Sequence, residues 1–234
     1  MKFIGIVLKS ARLFLFVALA GCESEIEEMT QETNPGIQRI LIIGNSITES
    51  RPLPDQDWLG HWGMAASDSS RDYVHILTDS ILSHAPGTEI LATGSGTLFE
   101  NRFWDYDLVG NYGIYRDFKP DLVILRIGEN VPTSLTEIFN FGIALQGFAN
   151  FFQESPETLV ICASGIWENR PVSDRIKNVC DRQGFVYLAL DDIGKDPGNL
   201  AFEQYGRTPV GFHPNDRGMF LIAQRLWGAF KFLI

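Results

Sequence analysis

The sequence predicts an α/β fold: a three-layer α/β/α sandwich built on a five-stranded parallel sheet. Three observations lead there. From residue 37 onward, short apolar runs alternate with longer segments of helical period. The runs are apolar on both faces, as strands covered on both sides are. Strand, helix, strand repetition then calls for crossovers that put helices on both sides of one sheet. The expected strands are residues 39–43, 88–92, 121–127, 159–163 and 185–190. Between them, residues 73–83, 135–152 and 173–182 carry the helical period, the last with Ser173 as its N-cap. The final helix is the best defined, because Met219, Ile222, Ala223, Leu226 and Phe230 share one face and Asp216 is available to cap its start. Residues 49–70, with Pro52, Pro54, Trp58 and Trp62, form a long irregular segment of the kind that binds ligands. No internal repeat or low-complexity block interrupts this pattern.

The 234 residues suit one domain, set here at 37–234, preceded by two segments of other character. Lys2, Lys9 and Arg12 come before the apolar run 13–19, too short to span a bilayer and followed by small residues, so residues 1–21 read as a secretory signal. Its end, Leu19-Ala20-Gly21-Cys22, resembles the bacterial lipobox, in which the cysteine is lipidated and becomes the N-terminus. Each acyl methylene adds about 0.8 kcal/mol of membrane affinity, so several chains on Cys22 would hold the protein at a membrane without a spanning helix. Residues 22–36 carry Glu23, Glu25, Glu27, Glu28 and Glu32 with no basic residue, as an extended acidic tether does. The expected location is the bacterial cell envelope, facing the periplasm or the cell surface.

Loss of residues 1–21 takes away three basic side chains and no acidic one, so the net charge of −10 becomes −13. That acidity argues against nucleic acid as a partner. An oxidising compartment permits a disulfide between Cys162 and Cys180, but both sit at apolar core positions, and the reading favours two buried thiols. No cysteine or histidine cluster has metal-ligand spacing, and neither a metal nor an organic cofactor is expected.

The chemistry lies at strand ends. Gly44-Asn45-Ser46-Ile47-Thr48 follows the first strand, Gly94 and Gly96 follow the second, and Gly128-Glu129-Asn130 follows the third. In an open parallel sheet these ends form one rim, where ligands bind. Far downstream, Gly211-Phe212-His213-Pro214-Asn215 supplies a histidine. A serine needs a base in hydrogen-bond reach and donors for the oxyanion it creates, and this set offers both.

These blocks, in this order, resemble the SGNH hydrolases, the GDSL-like lipase and acylhydrolase superfamily, over nearly the whole domain. The resemblance implies a flavodoxin-like fold and a serine acyl-enzyme. Ser46 would be the nucleophile and His213 the base, with the oxyanion held by the Ser46 N–H, a glycine N–H and the Asn130 amide. Gly96 fits the family spacing, with Gly94 its competitor. Two departures stand out. Asn45 replaces an Asp beside the nucleophile, and Val210 stands three residues before His213, where many members carry an Asp that orients the imidazole. A lost orienting carboxylate can lower turnover by about 10⁴ when nothing replaces it. The expectation is a Ser-His dyad aided by a backbone carbonyl, with Glu129 and Asp192 the carboxylates to consider instead. The stretches Trp62-Gly63-Met64-Ala65-Ala66-Ser67 with Asp72-Tyr73, and 213–219, resemble a subgroup of envelope proteins from glycan-degrading bacteria.

The resemblance implies an esterase for O-acyl groups, above all O-acetyl on carbohydrate. Lipid ester hydrolysis is the enzymatic alternative, and a catalytically weak glycan-binding lipoprotein is the non-enzymatic one. Bland readings accompany each residue. Asn130 also suits a turn closed by its own backbone, Glu129 a solvated or salt-bridged loop position, and His61, His75 and His84 helix or loop positions and not ligands. Trp58, Trp62, Trp104 and Trp167 divide between core packing and sugar stacking. Oligomeric state is not legible.

Overall fold

The computed structural model describes residues 36–234. The expected signal, Cys22 and the expected tether up to residue 35 lie outside the described residues. The sheet has five parallel strands in the order β2-β1-β3-β4-β5: β1 (Arg39–Gly44), β2 (Glu89–Thr93), β3 (Leu122–Arg126), β4 (Leu159–Ala163) and β5 (Val186–Leu188). The register sets Ile43 beside Thr93 and Leu125, and Gly44 beside Arg126, so the first three strands end level with one another.

Alternation along the strands divides the core. Ile40, Ile42, Leu122, Ile124, Ile161 and Ala163 face one side. They are covered there by α1 (Tyr73–His84) and α7 (Asp216–Phe230). Leu41, Ile43, Val123, Leu125, Val160 and Cys162 face the other. That side is covered by α2 (Gly96–Arg102), α3 (Leu108–Arg116), α4 (Phe141–Phe151) and α5 (Arg170–Gln183). The second face is aromatic, with Phe148 stacked on Phe99 at 4.1 Å and meeting Tyr112 edge-on. Each such ring removes 150–250 Å² of surface from water, which makes this layer a large part of the fold's stability. The three-layer expectation holds.

The differences from the sequence reading are local. The expected helix 135–152 begins only at Phe141, because Asn140 takes a left-handed conformation (φ 49°) and its side chain caps Ile143. Ser173 is not a cap: α5 starts at Arg170 after Asn169, with Pro171 in its first turn, and the Ser173 hydroxyl donates back to the Asn169 carbonyl. Asp216 is not the cap of α7 either. Asn215 accepts from the N–H groups of Arg217 and Gly218, while Asp216 accepts from the N–H and hydroxyl of Ser67, fastening residues 49–70 to the last helix. β5 stops at Leu188, and the N–H of Leu190 goes to the Ser164 hydroxyl instead of to a strand. Helices α2 and α3 have no counterpart in the sequence reading. Their glycines and aromatics are weak helix formers, and burial of Phe99 and Tyr112 overrides that propensity. A four-residue helix, α6 (Phe202–Tyr205), precedes the histidine loop. Cys162 and Cys180 are buried and unbridged.

Candidate active site

The loops leaving β1, β2 and β3 meet at the carboxyl edge of the sheet. Gly44 permits the approach, since a Cβ there would lie 1.8 Å from Thr48 Oγ1 and 3.0 Å from the Arg126 carbonyl. The chain then winds into one turn, with Thr48 and Glu49 donating to the Asn45 carbonyl and Asn45 Oδ1 accepting from the Ile47 N–H. Asn45 thus supports the turn that presents Ser46. Tyr73 and Thr48 share a 2.6 Å hydrogen bond beneath it.

Ser46 Oγ lies 2.9 Å from His213 Nε2, and His213 Nδ1 lies 2.9 Å from the Pro209 carbonyl. A carbonyl only accepts, so Nδ1 carries the proton and the Nε2 lone pair faces the serine hydroxyl. The tautomer that a base needs is therefore fixed by backbone. Burial holds the His213 pKa below its ordinary value, with the Pro209 hydrogen bond and the Glu129 charge opposing. The loop is itself tied down: His213 donates its N–H to Val210 and accepts from the Ala201 N–H, and Gly211 sits where a Cβ would meet the Gly206 carbonyl at 1.8 Å.

Val210 explains the missing aspartate. It is fully buried in an apolar cluster with Trp58, Met64, Ala65 and Ala201. Neither carboxylate named as its substitute reaches the imidazole. Asp192 binds Arg225 in a two-toothed ion pair that depresses its pKa. Glu129 turns away, accepting from Arg126 at 2.7 Å, from Asn45 at 2.7 Å and from the Ile166 N–H at 3.0 Å. It is a buried salt-bridged group, not a solvated one.

Asn130 follows β3, and its side-chain amide donates to Glu100 at 2.7 Å. Of the two glycines, Gly94 donates its N–H to Glu49. Gly96 opens α2 and lies against the Gly44 carbonyl, where a Cβ would come within 2.5 Å. N–H groups in a first helical turn have no intrahelical acceptor, so Gly96 keeps the donor that Gly94 has committed. A cleft of 690 Å³ opens beside Ser46, lined by Glu49, Arg51, Gly94, Leu98 and Tyr115 among others. Among the tryptophans, Trp58 is core, Trp62 and Trp167 are partly buried, and Trp104 stacks on exposed Phe139. His61, His75 and His84 are surface residues.

Two residues escaped the sequence reading, Glu100 and Arg126, both fully buried at the site. Arg126 did leave a signal, a charge closing an otherwise apolar strand at the functional edge. Glu100 left none, because its segment does not look helical.

No family model matches the sequence, and no curated protein matches it. Solved structures do. A two-domain esterase active on acetylated mannans superposes with a TM-score of 0.56 at 15% identity, over 83% of this chain and 48% of that one. The chain thus spans about half the length of that esterase. A Bacteroides uniformis protein described as a GDSL-like lipase gives 0.53 at 16% identity, over 84% of this chain and 97% of the other. A Lactobacillus plantarum protein gives 0.52 at 16%, over 85% and 99%. At such identities the likeness is one of fold, and the fold is that of the GDSL-like lipases and esterases.

Proposed function

We propose that this chain is a serine esterase that removes short O-acyl groups, foremost O-acetyl on carbohydrate, through an acyl-enzyme on Ser46. The observation that carries the reading is the Ser46–His213–Pro209 relay, with its hydroxyl, imidazole and carbonyl 2.9 Å apart at each step. Ser46 attacks the ester carbonyl while His213 Nε2 takes its proton. The imidazolium then keeps its Nδ1–H on the Pro209 carbonyl and returns the other proton to the leaving alcohol. Water repeats the sequence on the acyl-enzyme. The Ser46 N–H, Gly96 N–H and Asn130 amide receive the oxyanion, each such donor being worth about 3 to 4 kcal/mol of barrier.

The carbohydrate assignment draws support from the mannan esterase, which acts on an acetylated polysaccharide and shares the fold. The lipobox-like Cys22 and the acidic tether add the envelope as the site of action, with the domain held to a membrane by lipid. Hydrolysis of 4-nitrophenyl acetate, butyrate and octanoate tests the reading beside Ser46→Ala and His213→Ala. Wild type is expected to prefer acetate, and both variants to lose about 10⁴-fold or more while remaining folded. A wild type no faster than Ser46→Ala on aryl esters and acetylated mannan would overturn it, and a preference for octanoate would redirect it to lipids.

A further inference from the structure

Glu100 accepts four hydrogen bonds within a site where no solvent reaches it. They come from the Gly128 N–H at 2.5 Å, the Asn130 side-chain amide at 2.7 Å, the Asn45 amide at 3.1 Å and the Asn130 N–H at 3.4 Å. Phe99 beside it in α2, and Phe103 just past the helix, pack with Tyr112 of α3 into the aromatic layer, a role that a hydrophobic side chain serves at lower cost than a carboxylate. Helix packing therefore does not account for it. Its bonds do have a common feature, since they reach the residue before Ser46 and the backbone and side chain of Asn130.

An Asn amide has two N–H groups. With one committed to Glu100 Oε2, the amide plane of Asn130 is fixed and its second N–H is left for another acceptor. We propose that Glu100 is the positioning residue of the oxyanion hole, a carboxylate that orients the Asn130 amide and locks its loop to the turn carrying Ser46. The proposal rests on the esterase reading and extends it to a residue that touches no reacting atom.

Charged and titratable groups lie around the carboxylate on neighbouring elements. Glu129 shares the Asn45 amide with it, Arg126 on β3 pairs with Glu129 and with Asn45 Oδ1, and the Tyr112 hydroxyl on α3 binds the Phe99 N–H and the Ser95 carbonyl. Burial first, and Glu129 second, push Glu100 up to about 7. The sign of the effect follows. Ionised Glu100 accepts from Asn130, whereas a proton on that oxygen sets a donor against a donor and releases the amide. Turnover should rise with pH through two ionisations, His213 below its ordinary value and Glu100 near 7.

The test is kcat and KM for an aryl acetate from pH 5 to 9, using the full chain as wild type, Glu100→Gln, Asn130→Ala and the double variant. Glu100→Gln is expected to lower kcat about 100-fold with KM within about threefold, and to lose the limb near pH 7 while keeping the lower one. Asn130→Ala should lose the same limb, because Glu100 acts through that amide, and should cost only a few-fold more in the Glu100→Gln background. An Asn130→Ala variant that retains the ionisation lost in Glu100→Gln, or that keeps the full wild-type profile, overturns the proposal, the latter even if Glu100→Gln fails to fold. So does an undiminished cost of Asn130→Ala in the double variant. If wild type hydrolyses no ester, the esterase reading falls and this falls with it. If wild type is active and the limb survives, only the positioning role is lost.

Discussion

His213 is oriented by an uncharged carbonyl on a loop whose Val210 packs against Trp58 and Met64, whereas the loop carrying Asn130 is braced by two buried carboxylates and a buried guanidinium. The two halves of the site are thus built from different materials. Charge-assisted hydrogen bonds are roughly twice as strong as neutral ones, so the stiffer half is the one carrying Asn130. An absent aspartate beside the base therefore says little about how polar the site is. Its ionic scaffolding stands on the other side of the serine.

The comparison can be broken most severely at Arg126. Arg126→Leu leaves Glu129 and Glu100 as neighbouring buried carboxylates with no cation, and should cost about 3 to 5 kcal/mol of stability, read by urea denaturation. On the histidine side, Val210→Asp places a carboxylate in an apolar pocket instead of on the imidazole. It should lose about 3 kcal/mol by the same measurement and gain no turnover, and a rise in kcat would show that the carbonyl is a poor substitute. Asn45→Asp sharpens the contrast. It removes an amide that donates to both Glu100 and Glu129 and adds a third carboxyl, so the acid limb of the rate profile should move upward by about one pH unit. The smallest effect belongs to Asp192→Ala, a partly exposed partner of Arg225. Stability should change by less than about 1 kcal/mol and kcat not at all, where a fall in kcat would return Asp192 to the site.

The layers, the five strands and the last helix were legible because each rests on periodic apolar residues that the sheet and its covering helices need. Helix starts were less so. Asn215, not Asp216, caps α7 with its side chain, Asn140 caps α4, and Asn169 holds the N-cap position of α5 with its side chain turned to Thr133, so only backbone geometry decides which polar residue caps. At the site, Ser46 and His213 could be paired because chain order and strand ends constrain them. Glu100 could not, since it is a lone acid in an aromatic segment whose partners lie 28, 30 and 55 residues away in sequence. What joins it to Asn45 and Asn130 is tertiary packing, which leaves no local pattern.

Helix α2 has two faces with separate duties. Thr97, Leu98, Asn101 and Arg102 line the cleft beside Ser46, while Gly96 and Glu100 turn inward, against Gly44 and toward Asn130. A seven-residue helix has little freedom to bend between them. Any change that enlarges the cleft therefore works on the same rigid piece that steadies the Asn130 loop and packs against the turn carrying Ser46. Under the esterase reading proposed above, selectivity and speed share one lever, and variants selected for a new ester should tend to be slower until a second change, elsewhere on α2, resets its tilt.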